Sequence, residues 1–182
     1  MSTAEHALRV ASADDAEAIS AIYGPIVTST PISFELEAPC VAEMRARIER
    51  TLQWLPWLVS LDNVGVIDGY VYASKHRVRA AYRWSVDTAA YVREDSRGRG
   101  IGRRLYQALF NELITLGYFQ AFAAITLPNP ASIALHEALG FRSLGVHRDV
   151  GFKLGRWHDV GWWQKTLQQP VVEPPLPKPF RA

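Results

Sequence analysis

The run Tyr91-Val-Arg-Glu-Asp-Ser-Arg-Gly-Arg-Gly-Ile-Gly-Arg-Arg-Leu105 constrains this chain more than any other. A strand over Thr88–Val92 enters a turn, and a helix opens among glycines 98, 100 and 102, with Ile101, Leu105, Leu109 and Leu113 as its apolar stripe. Glycine lets a backbone approach a ligand closely, and a helix start presents unpaired N–H groups under a positive dipole. Together they make an anion cradle suited to a pyrophosphate. A dinucleotide fingerprint G-x-G-x-x-G needs a third glycine where Arg103 or Leu105 stands, and a P-loop needs a Gly-Lys-Ser/Thr that is absent. Arg93, Arg97, Arg99, Arg103 and Arg104 give the turn a local positive field. Glu94 and Asp95 lie inside the cluster and no aromatic residue interleaves it, which disfavours nucleic acid.

Alternating elements surround the turn. Leu8–Val10 reads as a strand, and Ser12 to Asp15 as the start of a helix carrying Ala16, Ile19, Ile22 and Tyr23, with Pro25 placing its end in doubt. Val41–Leu52 reads as a second helix, and Trp57–Leu61 and Val66–Ala73 as a hairpin across Asp62 to Gly65. After the glycine turn, helix Ile101–Leu116 stops at Gly117, strand Ala121–Thr126 follows, and helix Asn129–Leu139 stops at Gly140. Arg142–Phe152 and Trp157–Leu167 flank Gly155 as strands. The order β-α-α-β-β-β-α-β-α-β-β predicts an α/β fold, a mixed sheet with helices on both faces. One domain is expected over residues 1–168, with a proline-rich tail at 169–182 lying extended and outside the core. A charge sum of +2 excludes a polybasic or polyacidic chain as a whole-protein description. Cys40 is the single cysteine, which excludes an internal disulfide and a Cys-based zinc cage. No run reaches the roughly 18 apolar residues of a membrane span, and Met1 to His6 lacks a signal-peptide pattern. A cytoplasmic protein is the expectation.

The turn matches Arg/Gln-x-x-Gly-x-Gly/Ala as Arg97-Gly-Arg-Gly-Ile-Gly102, and downstream stands Asn129-Pro-Ala-Ser-Ile-Ala-Leu-His-Glu-Ala-Leu-Gly-Phe141. In this order the two motifs resemble those of the GNAT N-acetyltransferase superfamily. Ala80-Ala-Tyr-Arg-Trp84, Leu127-Pro-Asn129 and Gly151-Phe-Lys-Leu-Gly-Arg-Trp-His-Asp-Val-Gly161 are similar to phosphinothricin and methionine sulfoximine N-acetyltransferases, and so are Phe34 and Pro56-Trp-Leu-Val59. The similarity runs from about Leu8 to Leu167.

That resemblance implies a mixed, mostly antiparallel central sheet flanked by helices. It implies transfer of acetyl from acetyl-CoA to the α-amino group of a small glutamate-like amino acid by direct attack. It implies acetyl-CoA contacts from Tyr91, Val92, Arg97, Gly98, Arg99, Gly100, Ile101, Gly102, Asn129 and Ser132. Near Val92 a backbone N–H would serve the oxyanion. An α-amine must lose a proton before attack, so a base is needed. The matching position holds Asp87, where the family has glutamate; its carboxylate sits ~1.5 Å, one C–C bond, further back. His136 is the second implied catalytic group, at a place where many superfamily members have tyrosine. Arg77 and Arg79 alternate with Val78, so both face one pocket if extended, and the resemblance gives them the acceptor's anionic groups, with Phe34 and Tyr82 as pocket walls. It also implies a homodimer, for which Trp157, Trp162 and Trp163 look exposed.

Cys40 lies outside both motifs and is expected to take a packing or surface role rather than react. His6, His76, His147, His158 and Asp159 have no metal-ligand spacing, so no metal is expected, nor a nucleic-acid or membrane partner. Two other readings stay open: acetylation of a protein, peptide or other small amine, and a non-catalytic acyl-CoA sensor, which the shortened Asp87 would suit.

Overall fold

The structure, a computed structural model, describes residues 7–181. The leader reading on Met1 to His6 lies outside the described residues, as does Ala182. Seven strands form one sheet: β1 (Ala7–Val10), β2 (Trp57–Leu61), β3 (Ile67–Lys75), β4 (Ser85–Val92), β5 (Gln120–Thr126), β6 (Arg142–Lys153) and β7 (Arg156–Thr166). Their order is β1-β2-β3-β4-β5-β7-β6. Every neighbouring pair is antiparallel except β4 with β5, as the resemblance implied. The helices are α1 (Ala16–Ser29), α2 (Val41–Leu52), α3 (Ile101–Leu116) and α4 (Pro130–Ala138).

Strand alternation divides the core between the two faces. Tyr70, Trp57 and Val59 pack under α1 and α2 with Ile19, Tyr23, Met44 and Ile48. Val71, Ala73 and Val86 pack under α3 with Leu105, Leu109 and Leu113. At the start of α1, the Asp15 carboxylate accepts the Ser12 backbone N–H at 2.7 Å and both guanidinium nitrogens of Arg9. The Arg9 bond, outweighing burial, holds the Asp15 carboxyl below the usual carboxylate range. Pro25 does not end the helix. It forfeits one backbone bond, while Ile26 and Val27 behind it are buried and keep the chain helical to Ser29.

Two features position the site. The parallel ladder between β4 and β5 has only three pairs, Ser85–Gln120, Val86–Ala121 and Asp87–Phe122. Beyond Asp87 the strands part, and a cavity opens between Ala89–Tyr91 and Ala123–Thr126. The second feature corrects the expected external tail. Phe180 is buried in the α3 core, Lys178 N–H donates to Leu116 O at 2.9 Å, and Trp84 Nε1–H donates to Pro175 O at 2.8 Å. Proline lacks a donor, but the non-proline residues between the prolines supply N–H groups and an aromatic anchor. The tryptophan reading also needs correction: Trp157 is exposed, whereas Trp163 packs in the core and the Trp162 Nε1 is buried without a partner.

Candidate active site in the β4–β5 cleft

A cavity of about 430 Å³ lies where β4 leaves β5, roofed by the first turns of α3 and α4. Gly98 and Gly100 have φ of 76° and 78°, a left-handed backbone that favours glycine. Gly100 caps α3 without any side-chain bond, so the first N–H groups of the helix face the cavity unpaired. A Cβ on Gly102 would stand 3.1 Å from Leu135, so this glycine lets α4 close on α3. Asn129 Oδ1 accepts the Ser132 N–H at 3.2 Å and fixes the start of α4. Tyr91, Val92, Arg97, Gly98, Gly100, Ile101, Gly102, Asn129 and Ser132 all line the cavity, whereas Arg99 is not among its lining residues. Of the other clustered arginines, Arg103 joins the lining, but Arg93 is held by Asp95 at 2.7 Å and Asp62 at 3.4 Å. The lining fits a ligand with a pyrophosphate: unpaired N–H groups, open glycines and two guanidinium groups converge on one space.

At the inner end sit His136 and Tyr106, a residue outside both sequence motifs. The His136 Nδ1–H donates to Ser132 O at 2.7 Å, and its Nε2 accepts the Tyr106 hydroxyl at 2.9 Å. Burial pushes the His136 pKa down, against the charged form of the ring. Both nitrogens are engaged within the protein, one by Ser132 and one by Tyr106.

Asp87 stands within β4, not before it. Its β3 partner is Ser74 and its β5 partner Phe122, so it faces the α1–α2 side with Ala89 and Tyr91. Asp87 Oδ1 lies 2.6 Å from Nδ1 of His76, just past the end of β3. The His76 ring stacks on Phe122, with centroids 4.1 Å apart, and meets Tyr82 edge-on at 5.9 Å. Burial raises the Asp87 pKa, and His76 and then Arg77 pull it back. No sequence motif marked His76; the pair spans eleven residues and exists only through the β3–β4 register.

The four expected acceptor residues do not share one wall. Arg77, Arg79 and Tyr82 line a second cavity of about 320 Å³, closed by Leu176 and Pro177 of the tail. Arg77 also lies 5.7 Å over the Trp162 ring, on the Asp87 side. Phe34 rests on the β6–β7 hairpin, so close to Gly151 that a Cβ there would be 2.0 Å from the ring. Lys153 ties this hairpin to the loop carrying Phe34, donating to Val27 O and Ser33 O at 2.6 Å each. Behind the loop, Arg47 grips both oxygens of Glu35, whose carboxyl it holds below the usual range. Cys40 is exposed, and no cluster of three or more metal-ligating side chains occurs among the described residues.

Residues 8–162 match the acetyltransferase (GNAT) domain family. The chain is 36% identical over 170 residues to the phosphinothricin N-acetyltransferase of Streptomyces viridochromogenes, covering 93% of this chain and 91% of that one. It is also 36% identical over 161 residues to the L-methionine sulfoximine/L-methionine sulfone acetyltransferase of Pseudomonas aeruginosa, covering 88% and 94%. Among solved structures, a phosphinothricin acetyltransferase from Sinorhizobium meliloti in complex with AcCoA superposes with a TM-score of 0.88 at 36% identity, covering 97% and 99%.

Proposed function

This chain belongs to the acetyltransferase (GNAT) family, and we propose that it transfers acetyl from acetyl-CoA to the α-amino group of a small glutamate-like amino acid, of the phosphinothricin or methionine sulfoximine type, by direct attack. The observation that carries the proposal is the cleft itself. A pyrophosphate cradle and the opened β4 edge lead along one strand to a half-buried carboxylate, Asp87, with the cations of the Arg77–Arg79 segment beside it.

Each group has a task. The α3 amides, Arg97 and Arg103 hold the phosphates, while Asn129 and Ser132 fix the helix along the ligand's arm. Acetyl-CoA supplies the acetyl group as a thioester, whose carbonyl carbon is the electrophile. A β5-facing N–H of β4 near Val92, freed by the parting strands, serves the oxyanion. Asp87 provides the negative charge on which deprotonation of the amine depends. Tyr106 and His136 pack the inner wall, and in this reading His136 positions the Tyr106 hydroxyl rather than exchanging protons itself. Arg77 and Arg79 draw in the anionic end of the acceptor, and Phe34 and Tyr82 bound its path. The exposed apolar side chains Leu144, Phe152, Leu154 and Trp157 on the outer hairpin support work as a homodimer, and the proposed setting is the cytoplasm. The test is purified protein with acetyl-CoA and a panel of amino acids, read as thiol release. Release is expected with phosphinothricin-like and sulfoximine-like acceptors; none with any of them overturns the proposal.

A further inference from the structure

We propose that the group taking the proton from the acceptor amine is His76, through Nε2, and that Asp87 acts on the amine only by holding and polarising this ring. The inference rests on the acetyl-transfer reading above and names the proton acceptor within it. Its starting point is the length of the aspartate. The Asp87 carboxylate spends one oxygen on His76 Nδ1 at 2.6 Å, and the imidazole stands beyond the end of β3 beside it. An ionised carboxylate can only accept, so Nδ1 carries the proton, and in the neutral ring Nε2 keeps its lone pair. Among the described residues Nε2 has no hydrogen-bond partner. At His136 the corresponding lone pair is occupied by Tyr106.

The ring is also held in place. Phe122 stacks against it at 4.1 Å and 13°, Tyr82 closes on it edge-on, and Trp162 approaches at 6.4 Å and 80°. Its side chain is 10% exposed. A fixed base with one free lone pair and a carboxylate behind it is the arrangement by which an aspartate sets the tautomer of a histidine and stabilises the imidazolium that forms. The charged and titratable groups around it are Asp87 on β4, Tyr72 on the same face of β3 and within reach of the Asp87 charge, Arg77 next in the chain, Tyr82 on the following turn, and His147 on β6 across Trp162 at 5.9 Å. β5 and β7 present only Phe122 and Trp162.

The proton balance is simple. One N–H bond of the ammonium breaks and Nε2–H forms, giving an imidazolium opposite an ionised Asp87. The freed lone pair makes the C–N bond as the C–S bond breaks, and the second amine proton leaves with the sulfur. Solvent then takes the proton from Nε2 and resets the ring.

The test is a pH series of acceptor kcat/KM at saturating acetyl-CoA for wild type, His76→Phe and Asp87→Asn. Phenylalanine keeps the stack on Phe122 and removes both nitrogens. His76→Phe is expected to lose about 10²-fold or more. Its remaining rate should follow free-amine concentration without a separate acid limb. In Asp87→Asn that limb should move to lower pH, because the imidazolium loses its counter-charge. Nitrogen-15 NMR of the wild-type neutral ring should show the proton on Nδ1. A His76→Phe enzyme that keeps its rate within threefold, or a neutral ring protonated on Nε2, overturns the inference alone. A wild type that releases no thiol with any acceptor overturns the proposed function and this inference with it. Acetyl-CoA titration calorimetry and thermal melting of each variant separate a lost base from a lost fold.

Discussion

His136 and His76 are both aromatic-packed imidazoles beside the β4–β5 cleft, yet they retain different chemistry. His136 lies inside a recognisable motif, has one nitrogen donating to Ser132 O and the other accepting from Tyr106, and has its pKa pushed down by burial. His76 lies outside every motif, has one nitrogen on a carboxylate, and has the other without a partner among the described residues. A proton carrier needs a vacancy, and a structural histidine needs none. Motif position therefore points to where a residue sits, while hydrogen-bond accounting points to what it can still do.

Changes at the two rings should separate these roles. After His76→Phe itself, the largest effect is expected from Asp87→Ala, which removes the carboxylate that fixes His76 and leaves a gap beside it. Acceptor kcat/KM should fall by about 10²-fold, with acetyl-CoA affinity unchanged. Steady-state kinetics and calorimetry read the two quantities. A smaller effect, about tenfold on kcat, is expected from His136→Phe, because Tyr106 loses its acceptor and can reorient. The pH–rate profile of that variant should keep the wild-type acid limb. A limb that moves with His136 and not with His76 would reverse the assignment of the two rings. Smaller still, Arg79→Ala should raise acceptor KM by about threefold to fivefold and leave the acetyl-CoA KM alone. Equal changes in both would detach the second cavity from the acceptor's path.

The same contrast shows how much the sequence made legible. The glycine turn was readable because its needs are local: positive φ at Gly98 and Gly100, and a helix start with bare amides. Element order was readable from period and breakers, and the strand and helix limits shifted by only a few residues. The parting of β4 from β5 after Asp87 was not, because register between strands is a property of the whole sheet. Nor was the His76–Asp87 pair, whose members meet across that register. Tyr106 sits one residue past the apolar position Leu105, and nothing in its helix announces a partner thirty residues on. The tail was misread for a different reason: prolines signal an extended chain correctly, but extension does not prevent Phe180 from entering the core.

The least of the expected effects is one of stability, and it belongs to His136 alone. Burial places its folded pKa below the unfolded value of about 6.5. Between the two, the unfolded chain binds a proton that the folded chain refuses. Stability should therefore be level above about pH 6.5 and should decline as pH falls through the window, until the folded ring also protonates. One proton limits the slope to about 1.4 kcal/mol per pH unit. Asp15 and Glu35 have depressed folded pKa values, so their contributions are complete above roughly pH 4 to 5 and are lost only below it. Urea titrations of wild type and His136→Phe across pH 5 to 8 isolate the effect as a difference between the two curves. In the variant the decline below about pH 6.5 should be shallower. Parallel curves would mean that His136 titrates normally in the fold, and a normally titrating His136 would regain the proton chemistry that its two hydrogen bonds deny it.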